Sequence, residues 1–345
     1  MRNLIILISI VLYSLALSAQ DASLIVQTHI EGTFSNKDRK ISFYVLDADN
    51  NEHQKIYQIN EYDIHIPRNG ISISLNNEYI AIIKSKKLSK EEWEETRKRY
   101  INSLVIIDGK GNTVNKIDKD VQKIAWHPDG EIIAYITGTY HEDGYPFSPT
   151  GVYYMNVITG QEIRVSAIKY PYKIHWLKKD KEDLLYIKEL AKDKNPVYEF
   201  NINNQQIKLT NYEEVNFSPD GKYYIHYPEA EVGEFKFKVF ETATNKEITD
   251  KLTIQVNPNK WVHFQWVFDE GHLFLYKEGA NSKQNYIYDI ESGKLLKRFT
   301  AQIYEGNIFT SPKAILLKQD DKLFIITKDE TGIHEKKYST MDMDK

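Results

Sequence analysis

Two stretches decide the fold: Ile124-Ala-Trp-His-Pro-Asp-Gly130 and Val215-Asn-Phe-Ser-Pro-Asp-Gly221, each followed by a run of mainly apolar residues. Proline presets φ at the first turn position, aspartate suits the second, and glycine adopts the left-handed conformation that closes a hairpin. Each stretch therefore predicts two antiparallel strands joined at a tight corner.

Weaker copies of this hairpin phrase recur along the chain, and a second strand–turn–strand phrase follows the copies, so each unit holds four strands. The weaker hairpins span 71–83, 174–187 and 264–276, and the second phrases span 104–117, 152–165, 197–209, 237–252 and 286–299. Tryptophans 126, 176 and 266 fall at equivalent places at the end of the first strand. Their repetition predicts that they pack between neighbouring units.

The units recur every 40 to 53 residues, roughly, which is the length of one four-stranded propeller blade. A degenerate sixth unit spans 307–338. We therefore predict an all-β chain folded as a β-propeller, and a pair of β-sandwiches is the structural alternative. Strands expected at 24–30, 41–46 and 54–59 form either a degenerate extra blade or a small separate sheet. Six or seven blades follow, with seven favoured because three short strands alone make a marginal core.

The phrases Trp126-His-Pro-Asp-Gly130 and Phe217-Ser-Pro-Asp-Gly221 resemble the repeat of TolB-like propellers, a WD40-like (PD40) repeat family. The resemblance covers residues 71–338 and implies the fold, whereas function varies widely on such folds. The same repeat builds the propellers of prolyl-oligopeptidase-type enzymes. Those enzymes also need a Gly-x-Ser-x-Gly nucleophile turn, which this sequence lacks.

The N-terminus has the features of a secretory signal: Arg2, an apolar run from Leu4 to Leu17, and a small-residue cleavage site at Ser18-Ala19. An uncleaved anchor is the alternative, but the apolar run is shorter than the roughly 20 residues that a membrane-spanning helix needs. We expect an exported, periplasmic or secreted protein without a membrane span after cleavage. The predicted division is a signal peptide (1–19), an N-terminal β-rich segment (20–66), the propeller (67–338) and a polar tail (339–345).

The composition argues against several classes of partner. Lys and Arg total 45 against 49 Asp and Glu, a net charge of −4, which does not indicate nucleic-acid binding. The sequence contains no His-Glu-x-x-His zinc signature. Asp47-Ala-Asp49-Asn-Asn51 resembles the start of a calcium loop, but Glu52 stands where the sharp turn needs glycine, so a polar hairpin turn is the better interpretation. We expect neither a metal nor a cofactor.

Two insertions separate the second and third strands of neighbouring units. The first, Leu88 to Ile101, predicts a short helix with Ser89 and Glu92 as a capping box and Leu88 packed against Trp93. Its helical spacing would place Trp93, Arg97, Tyr100 and Ile101 on one face. The second insertion, 138–151, predicts a long loop with these candidate binding residues: Tyr140, His141, Glu142, Asp143, Tyr145 and Phe147.

Both insertions should leave the same face of the propeller side by side, because they occupy the same position in neighbouring blades. Their aromatic side chains then form either a binding surface or a packing layer on their own blades. The favoured hypothesis is a non-catalytic module that binds a protein or glycan of the cell envelope. The alternatives are a small-molecule sensor and a lyase or glycoside hydrolase that acts on an extracellular polymer, for which Glu142, Asp143 and Glu229 are the candidate acids.

Overall fold

The computed structural model describes most of the chain between residues 25 and 339. The described residues are 25–31, 40–47, 52–60, 64–67, 70–96, 98, 100–139, 148–166, 168–179, 182–190, 196–210, 215–218, 220–226, 238–249, 263–268, 271–276, 285–299, 308–310, 314–319, 322–329 and 331–339. They form strands β1 to β28 and one helix, α1, at Lys90–Thr96.

The strands form seven sheets in chain order, which we call the N-terminal sheet and blades 1 to 6. The N-terminal sheet contains β1 (Ile25–Glu31), β2 (Lys40–Asp47) and β3 (Glu52–Ile59). Blade 1 contains β4 (Ile64–His65), β5 (Ile71–Ile73), β6 (Tyr79–Lys87), β7 (Tyr100–Asp108) and β8 (Thr113–Ile117). Blade 2 contains β9 (Val121–Trp126), β10 (Ile132–Thr139), β11 (Ser148–Asn156) and β12 (Glu162–Val165).

The remaining four blades repeat the same plan. Blade 3 contains β13 (Pro171–Lys179), β14 (Glu182–Glu189), β15 (Val197–Asn201) and β16 (Gln206–Leu209), and blade 4 contains β17 (Val215–Phe217), β18 (Tyr223–His226), β19 (Lys238–Glu241) and β20 (Lys246–Glu247). Blade 5 contains β21 (His263–Val267), β22 (His272–Tyr276), β23 (Asn285–Asp289) and β24 (Lys294–Phe299). Blade 6 contains β25 (Ile308–Thr310), β26 (Ala314–Gln319), β27 (Lys322–Asp329) and β28 (Gly332–Ser339).

Every blade is an antiparallel meander in which each strand pairs with the next one along the chain. Blade 1 differs only in its first strand, because β4 and β5 lie end to end along the same edge of β6. Consecutive four-stranded meanders of this kind are the blades of a β-propeller. The predicted fold is confirmed.

The glycines of the two predicted hairpin corners adopt the left-handed conformation. Gly130 and Gly221 have φ values of 76° and 69°. In blade 4 the Ser218 hydroxyl donates to Asp220 Oδ1 over 2.6 Å and accepts the Tyr223 backbone N–H over 3.0 Å. The serine thus satisfies polar groups at the corner that the strand ladder leaves out.

The repeated tryptophans join neighbouring blades, as predicted. Each indole Nε1 donates to a backbone carbonyl in the first strand of the preceding blade: Trp126 to Ser72 (3.3 Å), Trp176 to Ala125 (3.0 Å) and Trp266 to Asn216 (3.1 Å). First strands therefore lie in contact from blade to blade, as expected of the strands that surround the central channel.

Hydrophobic cores lie between the blades rather than within them. Between blades 1 and 2, Leu104 and Ile106 pack against Trp126, Ile133 and Tyr135. The second and third strands of a blade are therefore buried on both faces. This explains why their sequences are continuous apolar runs. Each blade is therefore held in place by its neighbours.

The N-terminal sheet packs on blade 1 through a core of the same kind. Ile41, Phe43 and Ile59 are buried against a group of blade 1 side chains that includes Ile80 and Ile82. Strands β2 and β3 pair antiparallel up to Asp47 and Glu52, and residues 48–51 of the calcium-like stretch lie outside the described residues.

Candidate functional site

The first insertion is an arm that extends the hairpin of blade 1. Strands β6 and β7 pair continuously out to Lys87 and Tyr100, and α1 forms the tip. The predicted capping box is confirmed: the Ser89 N–H donates to Glu92 Oε2 over 2.8 Å, and the Glu92 N–H donates to Ser89 Oγ over 3.2 Å. The hydrogen bond from the Ser89 backbone, foremost, lowers the pKa of Glu92.

The predicted extent of the helix is wrong. The helix ends at Thr96, and Tyr100 and Ile101 begin β7 instead of continuing a helical face with Trp93. The physical reason is the pairing of Tyr100 and Ile101 with Lys87 and Lys86 of β6, because a β-branched and an aromatic residue gain more from a strand ladder than from one more exposed helical turn.

The described candidate side chains of the arm belong to different elements, Trp93 to α1 and Tyr100 to β7. Trp93 is partly buried on α1, whereas Tyr100 is 38% exposed and its ring meets the His65 ring edge-on at 5.0 Å. The other candidates, Arg97 and the loop residues Tyr140, His141, Glu142, Asp143, Tyr145 and Phe147, lie outside the described residues, as does Glu229. The second insertion is also shorter than predicted, because 138–139 belong to β10 and 148–151 to β11.

A polar network joins the bases of the two insertions. Asp120 Oδ1 accepts the Asn102 backbone N–H and the Gln122 side-chain amide, both over 3.0 Å, and Asp120 Oδ2 lies 3.3 Å from Lys98 Nζ. Gln122 Nε2 also donates to the carbonyl oxygen of Gly138 over 2.8 Å. Asp120 and Gln122 therefore connect the start of β7 in blade 1 to the end of β10 in blade 2.

The network continues inward without leaving its amides unsatisfied. The Asn102 side-chain amide donates to Gln122 Oε1 over 3.0 Å, and Asn102 Oδ1 accepts the Ser85 hydroxyl over 2.7 Å. Burial raises the pKa of the Asp120 carboxyl, although the Asn102 hydrogen bond and the Lys98 charge oppose this shift. A partly buried network whose polar groups are hydrogen-bonded fixes the relative position of the elements that contribute to it.

Exposed apolar side chains continue along the same face into blade 3. Tyr170 precedes the first strand of blade 3 and is 57% exposed, and Leu190 follows its second strand and is 44% exposed. They are neighbours, since the Leu190 N–H donates to the Tyr170 carbonyl over 2.9 Å. We call the arm, the network residues, Tyr170 and Leu190 the insertion face.

Sequence reasoning missed Tyr170, Leu190 and the network residues. Asn102 carried a weak signal, because it interrupts the apolar run of β7. Asp120 and Gln122 carried none, since their partners other than each other lie 16 to 22 residues away in the sequence.

A second polar cluster lies at the corner of blade 2, where His127, Asp129 and Asp183 bring potential ligand atoms within 4.8 Å of one another. His127 Nδ1 accepts the Asp129 backbone N–H over 3.1 Å, and Nε2 lies 3.1 Å from Asp183 Oδ1 in blade 3. The Asp129 carboxylate lies beside Nδ1, at 3.6 Å. Because the two carboxylates flank different ring nitrogens, and Nδ1 already accepts a hydrogen bond, this geometry suits a contact between blades better than a metal site.

No helix in the described part of the chain is both long and apolar enough to cross a membrane.

The sequence matches no protein-family model and no curated protein. Solved structures resemble the fold. The uncharacterized protein lmo1340 from Listeria monocytogenes EGD-e matches with a TM-score of 0.54 and 14% identity, over 92% of this chain and 97% of that one. An oligogalacturonate lyase in complex with manganese matches with a TM-score of 0.52 and 12% identity, over 90% of this chain and 99% of the other.

TolB from Acinetobacter baumannii matches with a TM-score of 0.46 and 16% identity, over 93% of this chain and 81% of that one. Identities this low establish shared architecture and not shared chemistry. The chain is therefore a β-propeller in fold, as its sheets show, and the solved structures that resemble it include an oligogalacturonate lyase.

Proposed function

We propose that the chain is an exported, non-catalytic β-propeller that binds a protein or glycan partner of the cell envelope through its insertion face. The observation that carries this proposal is the network of Asp120, Asn102 and Gln122, which ties the bases of the two insertions together. Loops that only cover a blade need no such network. A binding surface benefits from one, because preorganised loops lose less conformational entropy when a partner binds.

The exposed side chains of this face suit such a partner. Tyr100 and Tyr170 offer large rigid rings, each with a hydroxyl group, and Ile101 and Leu190 add apolar area. Aromatic side chains of this kind are frequent binding hot spots for proteins. Residues 140–147 connect β10 to β11, and we expect this predicted aromatic loop to add to the same surface.

The test compares the mature protein, starting at Gln20, with two variants in an affinity pull-down from envelope extract. The face variant carries Trp93→Ala, Tyr140→Ala and Tyr145→Ala. The matched control carries Leu209→Ala, Leu295→Ala and Leu296→Ala, which remove three exposed apolar side chains from the outer strands β16 and β24. Circular dichroism first checks that all three proteins fold.

We expect the captured partner to bind the face variant at least about tenfold more weakly, while the control variant binds like the parent protein. If both variants retain the partner equally, the insertion face is not the binding surface. If neither a protein nor a glycan is captured, the proposal fails for this partner class.

A further inference from the structure

Asp120 lies in the short connection from β8 to β9, where the chain passes from blade 1 to blade 2, and it contacts the bases of both insertions. Its backbone carbonyl accepts the Gly138 N–H over 2.9 Å, near the end of β10, where the second insertion begins. Its carboxylate contacts the arm: Oδ1 accepts the Asn102 N–H over 3.0 Å, and Oδ2 lies 3.3 Å from Lys98 Nζ. A single residue thus holds one insertion through its main chain and the other through its side chain.

The carboxylate bonds to the arm where the strand ladder of blade 1 has ended. Strand β8 pairs with Leu104 to Ile107 of β7, so the Asn102 N–H lies beyond this ladder. Asp120 accepts that N–H instead, through a side chain that is only 13% exposed. A hydrogen bond to a carboxylate with little access to solvent is stronger than one between neutral groups. The attachment of the arm to blade 2 therefore depends on the charge of one side chain.

Lys98 is the charged partner of this carboxylate. It follows α1 on the return path to β7, and among the described residues Asp120 is the acid with which it forms an ion pair. The charged neighbours of Asp120 along the chain, Asp118 and Lys119, form ion pairs with other residues. The groups of β7, β9 and β10 that bond to Asp120 are backbone and side-chain amides, which carry no charge. Lys98 is therefore the group that responds when the charge of Asp120 changes.

The burial of Asp120 determines how this ion pair responds to acid. Burial raises the pKa of the Asp120 carboxyl above its usual value of 3.8, while the Asn102 hydrogen bond and the Lys98 charge oppose the shift. Asp120 therefore takes up a proton at a higher pH than an exposed aspartate does. Because its pKa is higher in the folded chain than in the unfolded chain, this proton uptake stabilises the fold rather than unfolding it. The consequence is local, since a neutral acid no longer attracts the Lys98 ammonium group.

We propose that Asp120 is a proton-sensitive clamp, which in its ionised form holds the arm to the base of the second insertion and in its protonated form releases the arm. The insertion face then binds its partner less tightly in mild acid, because a mobile arm loses more conformational entropy on binding. Asp120 acts here as a positioning residue. The clamp itself needs no partner, and only its effect on binding rests on the proposed function of the insertion face.

The first experiment measures the mobility of the arm without any partner. Because the chain contains no cysteine, the substitution Lys90→Cys on α1, where the lysine side chain is 80% exposed, provides a single site for a pH-insensitive fluorescent label. The anisotropy of the label is followed from pH 8 to pH 4, and circular dichroism at each pH checks that the chain stays folded. We expect the anisotropy to fall as the pH is lowered, with a midpoint above 3.8.

Three variants of the labelled protein separate the clamp from other effects of acid. Asp120→Asn keeps an oxygen that accepts the Asn102 N–H but carries no charge, and Lys98→Met removes the cation from the arm. Both should show, at every pH, the low anisotropy that the parent reaches in acid. The matched control Asp118→Asn removes an exposed carboxylate from the same connection and should titrate like the parent. The clamp is overturned if the parent shows no transition, or if Asp120→Asn or Lys98→Met retains it.

The second experiment tests the consequence for binding with the affinity pull-down from envelope extract. Capture is compared at pH 7 and at the pH where the label of the parent has become mobile. We expect capture by the parent and by Asp118→Asn to fall at least about threefold in acid, and capture by Asp120→Asn to be equally low at both pH values.

The outcomes of the pull-down separate the clamp from the proposed function. Equal capture by the parent at both pH values, or a fall of the same size in Asp120→Asn, would overturn the effect of the clamp on binding. If no partner is captured at pH 7, the proposed function fails, and the anisotropy alone decides whether the clamp exists.

Discussion

His175 is a half-buried histidine whose Nε2 atom is shielded from solvent, and among the described residues no acid contributes to its pKa. Its ring stacks on Phe217 of blade 4, with ring centroids 5.7 Å apart and an interplanar angle of 19°. Burial, and secondarily the charge of Lys173, lower the pKa of His175 from 6.5 to about 4, while a hydrogen bond with the Ser218 backbone opposes the shift.

This shift makes the contact between blades 3 and 4 sensitive to acid. Below pH 6.5 the unfolded chain binds a proton at this site, whereas the folded chain binds it only near pH 4. Stability is therefore lost as the pH falls through this window, by up to about 3 kcal/mol. Substitution His175→Phe keeps an aromatic stack and removes the titration. We expect its urea midpoint to fall less between pH 7 and pH 4 than that of the parent protein. An equal fall in the parent and in His175→Phe would show that another group carries the acid sensitivity.

The arm of blade 1 shows what sequence alone could and could not predict about an element. The Ser89–Glu92 capping box was predictable because its four residues contain the whole interaction. The end of the helix was not predictable, because the conformation of Tyr100 and Ile101 depends on their pairing with β6. This strand precedes the helix in the chain. A residue spacing that fits one face of a helix does not show whether the same residues pair instead with another strand.

The repeat made the blades predictable for the same reason. Pro128, Asp129 and Gly130 encode a corner locally, and its recurrence encodes the ring. The candidate site depends instead on contacts between blades, such as those of Asp120 with Asn102 and Gln122. Such contacts leave no local pattern in a single sequence.

The arm should be dispensable for folding, although we propose that it serves in binding. Its helix buries no residue, and β6 and β7 already pair at its base. Replacement of residues 88–99 by Asn-Gly, which favours a two-residue hairpin turn, should lower the melting temperature by no more than about 2–4 °C. Circular dichroism on heating measures this change. Loss of the cooperative transition would show that the arm is part of the fold.

The closure of the ring depends on whether the N-terminal sheet behaves as a blade. Its core with blade 1 resembles those between later blades, and Gly111 brings the two backbones together at Ile56. If the sheet is an integral blade, forcing it away from blade 1 should cost stability throughout the ring, because each blade is held by its neighbours. A small independent sheet would yield to the same force at little cost.

Gly111→Ala and Gly160→Ala separate these cases, because both glycines occupy the same turn with positive φ, 86° and 70°. At either position, alanine in the left-handed conformation costs about 1–2 kcal/mol of folding free energy. At Gly160 the added Cβ meets only the end of the Asn115 side chain, whereas at Gly111 it meets the Ile56 backbone. We expect Gly111→Ala to lower the free energy of unfolding by about 1–3 kcal/mol more than Gly160→Ala in urea titrations. Equal losses would mean that β3 moves aside freely and that the ring has six blades.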